Sequence, residues 1–201
     1  QEALENDPDK VYLVTLFDGR ELYIFKTSAG ISLLGGNEIT GLYLINADYS
    51  ITLLYESKHF QNFYELTNGN VLVASDNSTG LYIYDFEQKT LTEVPFEENI
   101  NKPTLQNFFE IPNNIVLMSS NGTSSTYNGL FLYDISNNIV SRIYSSNNAW
   151  KYFYRLSNGY VLINRSGNGT SGNMLIYNPN TNEIITKSLI RSKTSIEDYF
   201  E

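Results

Sequence analysis

The sequence predicts an all-β chain built from repeated four-stranded antiparallel sheets, and three observations carry that prediction. Gln61-Asn62-Phe63-Tyr64-Glu65-Leu66 returns as Gln106-Asn107-Phe108-Phe109-Glu110-Ile111 and as Lys151-Tyr152-Phe153-Tyr154-Arg155-Leu156, a period of about 45 residues. A second landmark follows each copy in the same order: Gly80-Leu81-Tyr82-Ile83-Tyr84-Asp85, then Gly129-Leu130-Phe131-Leu132-Tyr133-Asp134, then Asn173-Met174-Leu175-Ile176-Tyr177-Asn178. Between these landmarks, short runs of aromatic and branched residues alternate with Asn, Gly, Ser and Asp, the residues that form turns.

In the second unit the pattern predicts strands near residues 62–67, 70–75, 80–86 and 90–95. Four antiparallel strands in so short a module match one blade of a β-propeller. The first turn carries Asn68-Gly69, with Asp18-Gly19 and Asn158-Gly159 in other units, and these dipeptides accept the two positive φ angles of a type I′ hairpin. Asn113-Asn114 takes that place in the third unit, and Asn also visits the left-handed region. Along Leu81-Tyr82-Ile83-Tyr84, successive side chains point to opposite faces, so Leu81 and Ile83 pack one way and Tyr82 and Tyr84 the other. A strand with two apolar faces needs cover on both, which neighbouring blades supply.

Taken in order, residues 1–10 form an acidic N-terminal extension, and blades are expected over 11–60, 61–105, 106–150 and 151–196. The first blade is aligned on Leu16-Phe17-Asp18-Gly19 and Gly41-Leu42-Tyr43-Leu44-Ile45-Asn46, with a long loop over 27–40 between them. That loop is either a binding insertion or the seat of an extra strand over Ile31-Ser32-Leu33-Leu34. Residues 97–103 read as a solvated linker between blades, and loops 119–128 and 165–172 emerge on one rim. Glu197-Asp198-Tyr199-Phe200-Glu201 opens a further copy of the repeat. Two arrangements accommodate it: four blades of a larger propeller, or a four-bladed ring with the last strand as a clasp.

The strand pair Leu66-Thr67-Asn68-Gly69-Asn70-Val71-Leu72-Val73, with Leu81–Asp85, resembles the kelch-type repeat of galactose-oxidase-like propellers. Tyr177-Asn178-Pro179-Asn180-Thr181 is similar to the Tyr-Asp-Pro-x-Thr turn of that family. Paired glycines occur only at Gly35-Gly36, and no tryptophan follows the Tyr-Asp turn in any unit. The resemblance implies the propeller fold. It does not imply the copper chemistry, which requires a cysteine-crosslinked tyrosine and histidine ligands, whereas this chain has no cysteine and one histidine, His59.

Composition narrows the partners. The 201 residues carry a net charge of −9, with 13 Lys and Arg against 22 Asp and Glu, so a broad nucleic-acid interface is not expected. No apolar run reaches the length of about 20 residues that a membrane helix needs. Without cysteine there are no disulfides or thiolate zinc sites.

Motifs for chemistry are sparse. There is no phosphate loop, no His-Glu-x-x-His and no Gly-x-Ser-x-Gly elbow, and a catalytic triad would have to be built on His59, which reads as a packing or surface residue. Asp85, Asp134 and Asn178 recur at matched positions, which suits turn caps better than a single catalytic constellation. Asp76-Asn77-Ser78-Thr79-Gly80 offers oxygen ligands for calcium, but an Asx turn explains it as well. Four Asn-x-Ser/Thr sequons begin at Asn77, Asn121, Asn164 and Asn168, as expected by chance in so Asn-rich a chain. Trp150, beside Tyr152 and Tyr154, could stack on a sugar ring or pack a blade edge.

No residue is therefore assigned a catalytic, cofactor-binding or metal-binding role, and no cofactor is expected. The sequence favours a non-catalytic interaction or assembly module with a protein partner, in an extracellular, surface or virion setting. The alternative is a glycan-binding or glycan-active propeller.

Overall fold

The computed structural model describes residues 11–188 except 17, 37, 57, 76–79, 121–127, 147–149 and 166–172. The expected N-terminal extension, the repeat at 197–201, the calcium candidate and the tips of the rim loops lie outside these residues. Among the described residues every regular element is a strand.

Blade 1 holds β1 (Val11–Thr15), β2 (Glu21–Lys26), β3 (Ser32–Gly35), β4 (Leu42–Ile45) and β5 (Ile51–Tyr55). Blade 2 holds β6 (Phe60–Glu65), β7 (Val71–Ser75), β8 (Leu81–Asp85) and β9 (Thr90–Val94). Blade 3 holds β10 (Leu105–Ile111), β11 (Ile115–Ser120), β12 (Gly129–Asp134) and β13 (Ile139–Ser145). Blade 4 holds β14 (Trp150–Arg155), β15 (Val161–Arg165), β16 (Asn173–Asn178) and β17 (Glu183–Ser188). Each sheet is an antiparallel meander in chain order, as the repeats predict.

The first blade aligns differently from the sequence expectation. Residues 27–40 are not a free loop: β3 lies within them, hydrogen-bonded between β2 and β4. The counterpart of the Leu66–Asn70 turn is Thr27–Ile31, where the Thr27 amide donates to Ile31 O at 2.8 Å and the Gly30 amide to Thr27 O at 3.0 Å. Leu16–Arg20 closes the same kind of turn one hairpin earlier. Consequently β2 to β5 make the four-stranded blade, and β1 is a fifth strand on the edge that β6, β10 and β14 leave open. Gly35 explains part of the glycine pair, since a Cβ there would meet Phe60 O at 2.4 Å.

The hairpin turns are also of another type. At Gly19, Gly69 and Gly159, φ is +86°, +87° and +85°, but Asp18, Asn68 and Asn158 are not left-handed. The Gly69 amide donates to Leu66 O at 2.9 Å, and the Leu66 amide to Asn70 O at 2.8 Å. This is a three-residue loop, a type I turn closed by a left-handed glycine, rather than a two-residue type I′ hairpin. The side chain before the glycine ties the turn down separately, because Asn68 Oδ1 accepts the Asn70 amide at 3.0 Å. Only the Asn113-Asn114 pair has two positive angles, φ 73° and 59°.

Alternation along the third strand of each blade sorts side chains between seams. Tyr82 and Tyr84 join Phe25, Leu33, Val71 and Val73 between blades 1 and 2, whereas Leu81 joins Leu72, Val116 and Met118 between blades 2 and 3. Blades 3 and 4 close on Leu117, Leu130, Val161 and Tyr177. The stretch 97–103 is more than a linker. The Glu97 amide donates to Val140 O and the Val140 amide to Pro95 O, each at 2.9 Å, while Phe96 and Ile100 pack on the blade 2/3 core. Burying these two apolar side chains makes docking on blade 3 more favourable than solvation.

Candidate functional site

Each seam is assembled by one device read off the first strand. Phe25 stacks on Phe63 with centroids 5.5 Å apart, Tyr64 on Phe108 at 5.9 Å, and Phe109 on Phe153 at 5.9 Å. Each pair adds about 0.5–1.5 kcal/mol beyond its buried area. A carboxylate two positions after the second ring then holds the neighbour's turn. The Glu65 oxygens accept the Ser28 amide at 3.0 and 2.9 Å and its hydroxyl, and those of Glu110 accept the Thr67 amide at 2.8 Å and hydroxyl at 2.7 Å. At the last seam Arg155 replaces the carboxylate, donating to Glu110 O at 3.0 Å with its guanidinium over Phe109. The acid-for-base exchange is visible in the repeat, but its partner across the seam is not.

The turn-cap assignments are observed in the structure. Asp85 Oδ1 accepts the Glu87 and Gln88 amides, and Asp134 Oδ1 those of Ser136 and Asn137, while Asn178 Oδ1 accepts the Asn180 amide. The hydrogen bond from the Asn137 side chain, followed by that from its backbone, holds the Asp134 carboxyl below the ordinary value of 3.8. Burial raises the phenols of Tyr64, Tyr84, Tyr133 and Tyr177, the last to about 12. Asp85, Asp134 and Asn178 are engaged separately in their own turns.

Trp150 is 1% exposed between blades 3 and 4, edge-on to Tyr144, so it is not placed to stack on a sugar. Its Nε1, like Nδ1 of His59, is buried with no hydrogen-bond partner among the described residues. Lys58 packs its ammonium over the Tyr55 and Tyr82 rings and donates to the Tyr82 hydroxyl. Among the described residues no three His, Asp or Glu side chains gather as a metal site, and no helix is long and apolar enough to cross a membrane.

Two surfaces stand out, and the sequence touches only the second, through the candidate binding insertion at 27–40. One is the side of blade 1 turned away from blade 2. Register places Tyr12, Ile24, Leu34, Tyr43 and Leu53 in one row across all five strands. On this side Tyr12 is 51% exposed, Ile51 63% and Leu53 44%. The other is a cleft of about 510 Å³ on the rim between blades 1 and 2. It is formed by the β2–β3 and β4–β5 turns of blade 1 and the β8–β9 turn of blade 2.

No family model matches the chain, and no curated protein resembles it in sequence. Among solved structures it is similar to a protein classed as a gluconolactonase, with 10% identity and a TM-score of 0.61, covering 93% of this chain and 71% of the other. It is also similar to the extracellular domain of BT4673 from B. thetaiotaomicron, classed as a one-component system, at 15% identity and a TM-score of 0.57, covering 88% of this chain. A third likeness is to TolB from Acinetobacter baumannii, with 13% identity and a TM-score of 0.50, covering 90% of this chain and 52% of that one. The chain spans 27% of the length of the BT4673 domain. At such identities the likeness is one of fold: the four sheets are blades of the β-propeller type.

Proposed function

We propose that the chain is a non-catalytic propeller module for interaction or assembly, and that it engages its partner through the outer side of blade 1. The supporting observation is the apolar row Tyr12, Ile24, Leu34, Tyr43 and Leu53 across five strands, 51% and 44% exposed at its two ends, where the matching row of blade 2 buries Phe63, Val73 and Tyr82 and ends in the charged Glu93. Its fitting occupant is another aliphatic sheet face, of the kind Leu117, Leu130 and Leu132 offer at the blade 3/4 seam. The kelch-like strand pair Leu66–Val73 accords with this role, because it builds blades rather than a reactive site. An extracellular or surface setting, as in the BT4673 domain, suits an acidic chain with few lysines.

Light scattering on the natively purified protein tests the proposal. The wild type is expected to be associated, and the double variant Ile51→Glu/Leu53→Glu monomeric with an unchanged melting temperature. A wild-type monomer with no partner under native conditions would overturn it.

A further inference from the structure

The rim cleft carries a second, independent signal. Lys26 leaves blade 1 at the end of β2, and Lys89 leaves blade 2 from the β8–β9 turn, so the two ammoniums arrive from opposite walls of the same cleft. Among the described residues neither has a hydrogen-bond or ion-pair partner. Several other lysine and arginine side chains are engaged, for example Arg20 with Asp18, Lys102 with Glu93 and Arg155 with Glu110 O. No carboxylate lines the cleft. Asp48, on the adjoining turn, spends its Oδ1 on the Ser50 amide at 3.0 Å and hydroxyl at 2.6 Å. Lys26 and Lys89 are thus the charged side chains of the lining itself, with the carboxylates of Asp48, Glu65 and Asp85 held in or against the surrounding turns.

Aromatic rings complete the lining. Tyr84 and Phe86 meet edge to face with centroids 4.6 Å apart on the blade 2 wall. Tyr49 stands at the opposite wall, 88% exposed, on a backbone at φ 64° where the equivalent turns of this chain use Gly19, Gly30, Gly69 and Gly159. A left-handed tyrosine costs about 1–2 kcal/mol relative to glycine, and its ring here covers no core.

We propose that this cleft binds a small six-membered ring bearing a carboxylate, with Lys26 and Lys89 pairing the anion and Tyr49 and Phe86 taking the flat face of the ring. Its volume, about 510 Å³, suits a ligand of one or two rings. A sugar acid and an aromatic carboxylate share this chemistry.

Calorimetric or NMR titration of the full chain with glucuronate, benzoate and glucose decides the matter. A saturable response to glucuronate, at least about tenfold weaker for glucose, supports the inference with a sugar acid as the source. The same selectivity for benzoate supports it with an aromatic one. Lys26→Gln/Lys89→Gln should weaken the preferred carboxylate by about tenfold or more, and raising the salt concentration should weaken it as well. Tyr49→Gly, which relieves the turn, should raise the melting temperature while weakening binding. Absence of a response to both carboxylates, or equal binding of glucose, would overturn the inference, as would undiminished binding by the double lysine variant.

Discussion

Blades 1 and 2 carry the same landmark, Leu42-Tyr43-Leu44-Ile45 in one and Leu81-Tyr82-Ile83-Tyr84 in the other, yet they bury it to different degrees. Tyr82 is 1% exposed in the seam between the blades, whereas Tyr43 lies half-buried on the outer side and donates its hydroxyl to Thr40 O at 2.9 Å. All of β7 is buried. In its counterpart β3 only alternate residues are buried, and Ser32 and Leu34 on the outer side are half-buried. For Tyr43 and Tyr82 burial is thus set by whether a neighbouring blade stands on that side of the strand, since their chemistry is the same. The outer side of blade 1 keeps an apolar row whose counterpart blade 2 spends on packing at Phe63, Val73 and Tyr82.

The largest test of this contrast compares the seam between blades 1 and 2 with the outer side of blade 1. Phe63→Ala, which removes a buried ring stacked on Phe25, should cost about 3–5 kcal/mol in urea unfolding. Ile24→Ala, on the outer side of blade 1, should cost less than half as much, and equal costs would break the contrast. Glu110→Ala strips the Thr67 amide and hydroxyl of their acceptor and should cost about 1–2 kcal/mol. Arg155→Lys would sharpen that comparison: it keeps the charge but loses the planar stack on Phe109, and a cost smaller than that of Glu110→Ala is expected from the same assay.

A smaller effect is expected at the β8–β9 turn. Lys89 holds φ 52° where blades 3 and 4 place Asn138 and Asn182, each accepting a tyrosine hydroxyl through its side-chain oxygen. Lys89→Asn should therefore stabilise the chain by about 0.5–1 kcal/mol, through a better left-handed residue and a new acceptor for Tyr84. The smallest effect concerns acid. Asp134 has a folded-state pKa below 3.8, so its stabilising contribution is present above the unfolded value and is lost as pH falls through the folded one. Asp134→Asn copies the neutral cap Asn178 and should flatten the acid limb of the stability profile, measured by urea midpoints between about pH 2 and 6.

Much of the fold is legible because the repeat is written in residues that act locally. Alternation in Leu81–Tyr84 declares two buried sides, and a recurring Asp or Asn after the third strand declares a capped hairpin. The sequence misaligns the first blade because Asp18-Gly19 and Ala29-Gly30 close the same turn, and a local turn signal does not say which hairpin belongs to the four-stranded unit. The stacking partners settle it: Phe25, not a residue of β1, meets Phe63. Trp150 takes the packing role that the sequence offered beside sugar stacking, but the seam it fills is not read from an aromatic cluster, which carries no information about the side on which the next sheet lies. The rim cleft is legible only at its Ala29–Ser32 wall, inside the stretch that offered a binding insertion, because Lys26, Tyr49 and Lys89 are far apart in sequence and none belongs to a motif.

By itself the sequence determined that this chain forms sheets, where most of the hairpins turn, and that each sheet has two apolar sides, because φ preference, alternation and capping act over a few residues. The tertiary structure alone decided which sides are covered, which carboxylate holds which turn, and which cations have no ion-pair partner among the described residues. Those outcomes depend on residues brought together across a seam, and no stretch of chain a few residues long contains both halves of a seam.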